Sequence, residues 1–475
     1  MKRHISIIIF VTLFISAVSI IAIIVAKGYT IKEDEIRESG ILDIESTPAG
    51  GIINIDGIAK ETTPKKIELV AGTYEVSIAK DGYKTWKKEL TVEPAVVSSV
   101  AATLIPSTLE VEQATFVEVE KAFFSDDGNT ALYTVSKKTN QGIWLIPLEK
   151  SIFSLSDTKP TKIGKMNLIP EECQDNMSYN FSISNDNKNA LLSCNTKSFK
   201  VFKLINLENS EEDVININQI IGFSPTDVSF KHGSENLIIS DEQIVSSYSL
   251  GSKEFRLIAR ENAAFAPQLV SNGSTLFLLR NSYDNKSRNL FKINEYFQIT
   301  EIKTNISLDM IKQISGPASE ETNVLAFTGK KGSLIVYEND FENPIKFSEN
   351  QVEFLKWSFD GVHFLYIEKN TLKSALIREM PNKSIRIDTY NLAKNYSNLK
   401  LSFDWSRESN QLVVEDQTKN ALYSYDFDGQ NKTLLFSGKL AHPGSFKLSV
   451  NETFLVILLK DSKESSNLYT VKLKI

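Results

Sequence analysis

Two cysteines, Cys173 and Cys194, are the residues whose spacing most directly suggests covalent chemistry. Cys194 ends the apolar run "ALLSC", and Cys173 lies 21 positions earlier, before "YNFSI". In an oxidising compartment such a pair is expected to form a disulfide, and closing a loop of about 20 residues stabilises a fold by roughly 3 kcal/mol in the chain-entropy model. Two buried free thiols would give the same sequence, so both interpretations stand at this point.

The sequence has few residues suited to metal binding or acid–base catalysis. The four histidines are scattered, and we interpret His232, His363 and His442 as structural because they fall in different segments. The segment "DFDGQN", Asp426–Asn431, has closely spaced side-chain oxygens that suit calcium, but it lacks the glutamate that closes an EF-hand loop. A turn between strands is the favoured interpretation, and we predict no metal and no cofactor.

Motifs of two common enzyme classes are absent from the sequence. There is no G-x-S-x-G nucleophile elbow of an α/β-hydrolase. The segment "GKKG", Gly329–Gly332, lies between two strand-like runs, so we interpret it as a hairpin turn and not as a phosphate-binding loop. The sequence therefore predicts that the chain is not an enzyme. The alternative is an active site assembled from distant segments, which one sequence cannot reveal.

Composition excludes one class of partner and suggests more than one domain. The chain has 475 residues, 41% of them hydrophobic, and a formal charge of -6 that is spread along its length. No block of lysine and arginine interleaved with aromatic residues is present, so we expect no nucleic-acid partner. A chain of this length exceeds the usual size of a single domain.

The N-terminal segment has the composition of a membrane span. The run from Ile5 to Ala26 contains no charged residue and is long enough to cross a hydrocarbon core of roughly 30 Å. A cleaved signal peptide is the alternative, but its apolar region is usually about 7–15 residues and ends in a small-x-small site. We predict a cytoplasmic stub and transmembrane anchor over residues 1–26, followed by a polar stalk over residues 27–39.

The orientation of this anchor is not decided by its flanking charges. Positive residues on the two sides nearly balance under the positive-inside rule: Lys2, Arg3, Lys27, Lys32 and Arg37. The prediction that most of the chain is extracytoplasmic rests instead on the segment that follows.

Residues 40–106 alternate β-branched with polar residues in short runs, and turn signals separate the runs. Ile53 and Ile55 share one face of a strand that ends at Asp56-Gly57, a favoured hairpin turn because glycine accepts positive φ. This pattern predicts a small all-β sandwich of about six strands.

Several motifs of this block resemble the PEGA domain family. They are Pro48, "NIDG" at Asn54–Gly57, "TP" at Thr63-Pro64, "AGTYEVSIAKDGY" at Ala71–Tyr83, and Trp86. The family's namesake tetrapeptide is replaced by "PAGG" at Pro48–Gly51. The resemblance implies an extracytoplasmic adhesion or spacer module without catalysis.

Tyr83 and Trp86 are the residues of this block that could contact a ligand directly. An exposed pair would form an aromatic platform for a glycan or a peptide. Aromatic residues of this kind also commonly complete the core of a small β domain, and we favour that interpretation.

Residues 107–475 repeat one unit, whose clearest copy is "WSFDGVHFLYIE" at Trp357–Glu368. Eight turns align at spacings of 39 to 59 residues, on Ser125, Ser184, Lys231, Ser271, Ser319, Ser358, Ser406 and Val450. A period of about 40–50 residues with four strands is typical of β-propeller blades. The repeats resemble the WD-like repeats of TolB-type propellers. We interpret the recurring residues as required for packing between blades, not as ligand sites.

We therefore predict an all-β protein with an N-terminal transmembrane helix, a PEGA-like β-sandwich over residues 40–106 and a seven- or eight-bladed β-propeller over residues 107–475, with eight favoured. The segment Ser107–Lys121 is expected to supply the outer strand of the last blade. The predicted function is a membrane-anchored extracytoplasmic scaffold that binds a protein, peptide or cell-envelope glycan. An enzyme with its site in the propeller channel and a purely structural envelope protein are the alternatives.

Overall fold

The structure of this protein, a computed structural model, describes residues 11–473 except for 17, 20–28, 33–34, 149–158, 176, 209–213, 232–235, 242–243, 261–267, 273–274, 282–287, 295, 297, 308–310, 318–323, 330–331, 338–340, 380–384, 395, 397–400, 407–409 and 461–464. The chain divides into two compact units at Leu109/Glu110, and each is described by itself.

The first unit is a β-sandwich. Its described part contains the strands β1 (Tyr29–Lys32), β2 (Glu35–Thr47), β3 (Ile52–Ile55), β4 (Ile58–Thr62), β5 (Lys65–Val70), β6 (Gly72–Ala79), β7 (Trp86–Val92) and β8 (Val97–Thr103). One sheet has the order β4-β3-β6-β7. In the other, β2 pairs antiparallel with β1 and β5 and parallel with β8.

The alternating pattern predicted for this unit holds in the structure. Leu42, Ile44 and Ile53 are fully buried, and the hairpin turn falls at Asp56 and Gly57, both with positive φ. Part of the expected stalk forms strands, because β1 and the start of β2 lie within residues 27–39. The sequence did not predict these strands because it is polar there. Their antiparallel pairing with each other makes them regular strands.

Little of the predicted membrane span lies within the described residues. Residues 11–16 and 18–19 are helical, and the rest of the run from Ile5 to Ala26 lies outside the described part of the chain. Among the residues that the structure covers, no helix is both long and apolar enough to cross a membrane.

The second unit is built from four-stranded antiparallel sheets, eight of them in the described part of the chain. We number them in chain order. Sheet 1 contains β10 (Lys121–Phe124), β11 (Thr130–Val135), β12 (Gly142–Pro147) and β13 (Thr161–Gly164). Sheet 2 contains β14 (Tyr179–Ile183), β15 (Asn189–Asn195), β16 (Lys200–Asn206) and β17 (Val214–Asn216). Sheet 3 contains β18 (Asp227–Phe230), β19 (Asn236–Ser240), β20 (Ile244–Ser249) and β21 (Phe255–Arg260).

Sheets 4 to 7 repeat the same up-and-down order. Sheet 4 contains β22 (Gln268–Asn272), β23 (Thr275–Asn281), β24 (Arg288–Ile293) and β25 (Ile299–Ile302). Sheet 5 contains β26 (Ile311–Ser315), β27 (Val324–Gly329), β28 (Gly332–Tyr337) and β29 (Ile345–Ser348). Sheet 6 contains β30 (Glu353–Trp357), β31 (His363–Glu368), β32 (Thr371–Glu379) and β33 (Ile385–Lys394). Sheet 7 contains β34 (Leu401–Trp405), β35 (Gln411–Asp416), β36 (Ala421–Asp426) and β37 (Thr433–Ser437).

Sheet 8 joins the two ends of the unit. It has the order β38 (Phe446–Leu448), β39 (Phe454–Lys460), β40 (Ser466–Lys472) and β9 (Val111–Gln113). The N-terminal strand β9 pairs with β40 through Tyr469↔Gln113 and Val471↔Val111. The prediction that Ser107–Lys121 supplies the outer strand of the last sheet is confirmed.

Consecutive sheets pack face to face through shared apolar clusters. Phe123 of sheet 1 lies in one cluster with Phe181 of sheet 2, and Leu365 of sheet 6 lies in another with Trp405 of sheet 7. The first strands of neighbouring sheets also approach one another, as β10 does to β14 and β34 to β38. We call the first strand of each of the eight sheets its inner strand. This arrangement is a β-propeller, in which inner strands surround the central channel.

One set of hydrogen bonds recurs in the turns after the inner strands of sheets 1, 2, 6 and 8. In sheet 1, Ser125 N–H donates to Thr130 O at 3.0 Å, Thr130 N–H donates to Ser125 Oγ at 3.0 Å, and Asn129 N–H donates to Asp127 Oδ1 at 3.0 Å. The same bonds recur at Ser184, Ser358 and Ser449. The repeated serine and the acidic or amide residue two positions later therefore build the turn.

Most of the predicted turn positions agree with these bonds. Ser406 and Lys231 also donate a backbone hydrogen bond to the residue five positions later, and Ser271 pairs with Leu276 in the same register. The last position was one residue off, because Ser449 and not Val450 makes the turn contacts. Ser319 lies outside the described residues.

Candidate functional site

A charged cluster joins the inner strands of sheets 6, 7 and 8. Lys356 of β30, Asp404 of β34 and Lys447 of β38 each lie two residues before the serine that starts the turn. Because the three sheets repeat one register, equivalent positions of neighbouring inner strands come together. The sequence interpretation missed this cluster, although aligning the repeats at the turn serines would have placed its three residues in one column.

Asp404 is the centre of the cluster and is almost completely buried, with 3% of its surface exposed. Its Oδ1 accepts from Lys356 Nζ at 2.6 Å and from Lys447 Nζ at 3.3 Å, and its Oδ2 accepts from Leu448 N–H at 3.1 Å. Burial opposes ionisation, but the positive charges of the two lysines and these hydrogen bonds outweigh it and hold the pKa of Asp404 below its usual value. Asp404 is therefore a satisfied carboxylate.

The cluster carries more positive than negative charge. Two ammonium groups share one carboxylate, and the side chain of Lys356 is 40% exposed while that of Lys447 is 16% exposed. The ring of Phe359, which follows turn residue Ser358, lies 5.9 Å from Lys447 Nζ and is itself exposed. Lys447 therefore lies beside an exposed aromatic ring, and Lys356 contacts the same carboxylate oxygen as Lys447.

Cys173 and Cys194 form a disulfide in the structure, with Cα atoms 6.1 Å apart. Both residues are buried in the cluster between sheets 1 and 2. Cys173 lies in the short helix Glu171–Asp175, and Gln174 Nε2 donates to Met166 O at 2.9 Å and to Ile169 O at 2.7 Å. The bridge fastens this helix to strand β15, and the Gln174 bonds fasten it to the preceding turn.

The aromatic pair of the first unit does not form a platform. Trp86 is only 4% exposed and lies in the sandwich core, so its ring cannot face a ligand. Tyr83 is half-buried against the same core, and its backbone bridges to Pro106. The favoured interpretation, core packing, therefore describes Trp86, because burying the indole stabilises a small domain more than exposing it would.

The other candidate residues take part in turns and packing. Asp426 N–H donates to Gln430 O at 3.0 Å, and Asn431 Nδ2 donates to Asp426 Oδ2 at 2.9 Å, so Asp426–Asn431 is a turn between β36 and β37. His442 contacts Glu120 O through Nε2 at 2.8 Å. His232 and the centre of Gly329–Gly332 lie outside the described residues. No group of metal-ligating side chains occurs among the residues that are described.

His363 and Asp360 form a contact within the turn of sheet 6. His363 is buried, and its Nδ1 lies 3.3 Å from Asp360 Oδ2. Burial opposes ionisation of Asp360, but the contact with His363 and the hydrogen bonds from Ser358 Oγ and Val362 N–H lower its pKa. The carboxylate of Asp360 thus forms hydrogen bonds within its own turn.

Comparison with known proteins identifies the first unit. Residues 39–108 match the PEGA domain. The described strands β3 to β8 lie within this range, as do the core residues Leu42 and Trp86. No curated protein matches the chain. The PEGA domain is thus followed by the sheets of the second unit.

Several solved structures are similar to this chain, and two of them are a β-propeller domain and a WD40 domain. The WD40 domain of SCAP from fission yeast has 8% identity and a TM-score of 0.46, and the match covers 77% of this chain and 94% of that one. Oligogalacturonate lyase from Vibrio parahaemolyticus has 10% identity and a TM-score of 0.42, with 77% and 98% covered. The Cps50 β-propeller domain from Myceliophteria thermophila has 9% identity and a TM-score of 0.40, with 77% and 100% covered.

Proposed function

We propose that this chain is a membrane-anchored extracytoplasmic binding protein, in which a PEGA domain precedes an eight-bladed propeller that binds a protein, peptide or glycan. The observation that carries the proposal is the succession of similar sheets whose last member is completed by the N-terminal strand β9. Such a unit presents loops on two faces and an inner channel on a rigid frame. Eight blades follow if each four-stranded sheet is one blade.

Within the charged cluster, the state of the buried carboxylate favours binding over acid–base catalysis. Asp404 accepts three hydrogen bonds and is 3% exposed, so it has little capacity to accept a proton from a substrate. The net charge of -6 makes a nucleic-acid partner unfavourable.

An extracytoplasmic location is supported by two features of the chain. The uncharged run from Ile5 to Ala26 has the length of a membrane anchor. The Cys173–Cys194 disulfide is the covalent form that an oxidising compartment maintains. The anchor would hold the PEGA domain and the propeller at the outer surface of the membrane.

The topology can be tested in intact cells. Protease added from outside should degrade the PEGA domain and the propeller of the full chain, while a cytoplasmic control protein stays intact. Digestion only after the cells are permeabilised would contradict the proposed orientation. Release of the chain from membranes by high salt or carbonate would contradict the anchor.

A further inference from the structure

The lysine pair of the propeller has more positive charge than its carboxylate neutralises. Lys356 and Lys447 lie within 3.3 Å of one oxygen atom of Asp404. One lysine with the Leu448 N–H would suffice to satisfy a buried carboxylate, so the second ammonium adds a net positive charge at this position. Each ammonium has three donor protons, and Lys356 Nζ also donates to Phe403 O at 3.4 Å, so one donor of Lys356 and two of Lys447 are left for a ligand.

The surroundings of the pair restrict the chemistry of that ligand. Among the described residues, Asp404 is the only carboxylate that forms an ion pair with the two lysines, and it is too buried to accept a hydrogen bond from a sugar hydroxyl. The accessible groups are the two ammonium donors and the ring of Phe359, which is 41% exposed. Such a site suits a ligand with an anionic group next to an apolar group. It offers no hydrogen-bond acceptor for the hydroxyl groups of a sugar.

We propose that Lys356, Lys447 and Phe359 form a binding site for an acidic peptide segment, in which an aspartate or glutamate carboxylate contacts the two ammonium groups and a neighbouring apolar side chain packs on the phenylalanine ring. This inference rests on the proposed binding function and names its ligand class. Asp404 contacts both ammonium groups without being exposed to the ligand, and its charge competes with the ligand carboxylate for them.

The test uses the full chain purified in detergent micelles and the peptide acetyl-Glu-Phe-Glu-amide, with binding measured by calorimetry or ligand-observed NMR. The matched peptide acetyl-Gln-Phe-Gln-amide has the same shape without charge and should bind at least about tenfold more weakly, as expected for loss of a charge-assisted contact. Binding of the acidic peptide should weaken as salt is raised, because the lysines are partly exposed.

Variants of the three contact residues should weaken binding to different extents. Lys447→Gln and Lys356→Gln should each reduce affinity about tenfold, and Phe359→Ala should reduce it several-fold. Lys346→Gln is the matched control, because Lys346 is an exposed lysine on outer strand β29 that pairs with Glu349. It should leave the affinity unchanged.

Asp404→Asn separates a ligand site from a purely structural ion pair. Asparagine keeps an oxygen for Leu448 N–H and removes the charge that competes for the lysines, so affinity for the acidic peptide should rise severalfold. If this variant does not fold, Phe359→Ala decides the question, since its exposed ring contributes little to the core.

Three results would overturn the inference. They are equal affinity for the glutamate and glutamine peptides, unchanged binding after Phe359→Ala, and binding of a glucuronic acid oligosaccharide in preference to the acidic peptide. None of them affects the protease assay of membrane topology, so failure of this site is distinguishable from failure of the proposed location.

Discussion

At the scale of single residues, Glu368 shows how the local environment fixes a charge. Its carboxylate accepts from Lys373 Nζ at 2.6 Å, from Asn350 Nδ2 at 3.0 Å and from Ser348 Oγ. Burial opposes ionisation, but these donors outweigh it and lower the pKa of Glu368 to about 2. None of these contacts could be read from the sequence, because they join β31 to β32 and to the segment that leaves sheet 5.

Replacing Glu368 should therefore change how stability depends on pH. The folded-state pKa lies below the unfolded value of about 4.3, so the carboxylate stabilises the fold above that pH and loses its contribution as the pH falls towards about 2. In urea unfolding, Glu368→Gln should be less stable than the natural protein between pH 5 and 8. The difference should shrink steadily below about pH 4.3.

Glu349→Gln is the control for this titration. Glu349 forms one surface pair with Lys346 and is 79% exposed, so its replacement should have a small effect at every pH. A constant stability difference between Glu368→Gln and the natural protein from pH 7 to pH 3 would contradict the assignment.

At the scale of elements, the strand after the turn of sheet 6 packs between two sheets, while Asp360 forms bonds within its own turn. Leu365 of β31 is fully buried against Trp405, Leu412 and Val414 of sheet 7. Asp360, in the preceding turn, is bonded to Ser358, Val362 and His363 of the same turn. The pattern "WSFDGVHFLYIE" thus combines one turn with one packing strand.

Substitutions in these two elements should separate packing from turn geometry. Leu365→Ala should cost about 2–5 kcal/mol of unfolding free energy, because it leaves a cavity between two sheets. Asp360→Ala should cost less, since each hydrogen bond contributes about 0.5–1.5 kcal/mol net. Thermal and urea unfolding of both variants provide the comparison. A fully stable Asp360→Ala that loses binding of the acidic peptide would show that the turn is a ligand site.

The sequence predicted elements better than contacts between them. Alternating apolar residues and the recurring turn serines were sufficient to predict the four-stranded sheets, because both signals lie within one repeat. The position at Val450 was misplaced by one residue since the serine-x-asparagine signal at Ser449 was not used. The Lys356–Asp404–Lys447 cluster depends on how three sheets stand against each other, which no single repeat encodes.

At the scale of the whole propeller, closure depends on contacts between sheet 8 and sheet 1. Tyr133 of sheet 1 shares a buried cluster with Val456 and Leu458 of sheet 8. Val450 N–H donates to Asp127 O at 2.7 Å, which joins the turns of the two sheets. The first and last sheets are thus held together by a core, by a backbone bond and by strand β9.

Gly128 allows the closest approach at this junction. Its φ is +68°, and a Cβ atom at this position would lie 2.5 Å from Leu448 O and 2.9 Å from Ser449 Cα. Gly222 is a matched position in the same unit, with a φ of +74° and nothing within 4 Å of an added Cβ. The two positions therefore share a left-handed backbone, which would strain any other residue, but they differ in the space around them.

Alanine at these two glycines should separate strain from ring closure. Gly222→Ala should cost about 1–2 kcal/mol, the usual penalty for a side chain in the left-handed region. Gly128→Ala carries the same strain and in addition pushes the turn of sheet 1 away from Leu448, so it should cost more, by about 1–3 kcal/mol as in overpacked sites. Urea unfolding measures both costs.

Hydrogen exchange should show faster opening of β9 and β38 in Gly128→Ala only, because a strained junction opens locally before the whole propeller unfolds. Equal costs for the two variants, with unchanged exchange in both strands, would mean that the junction between sheets 8 and 1 does not hold the ring closed.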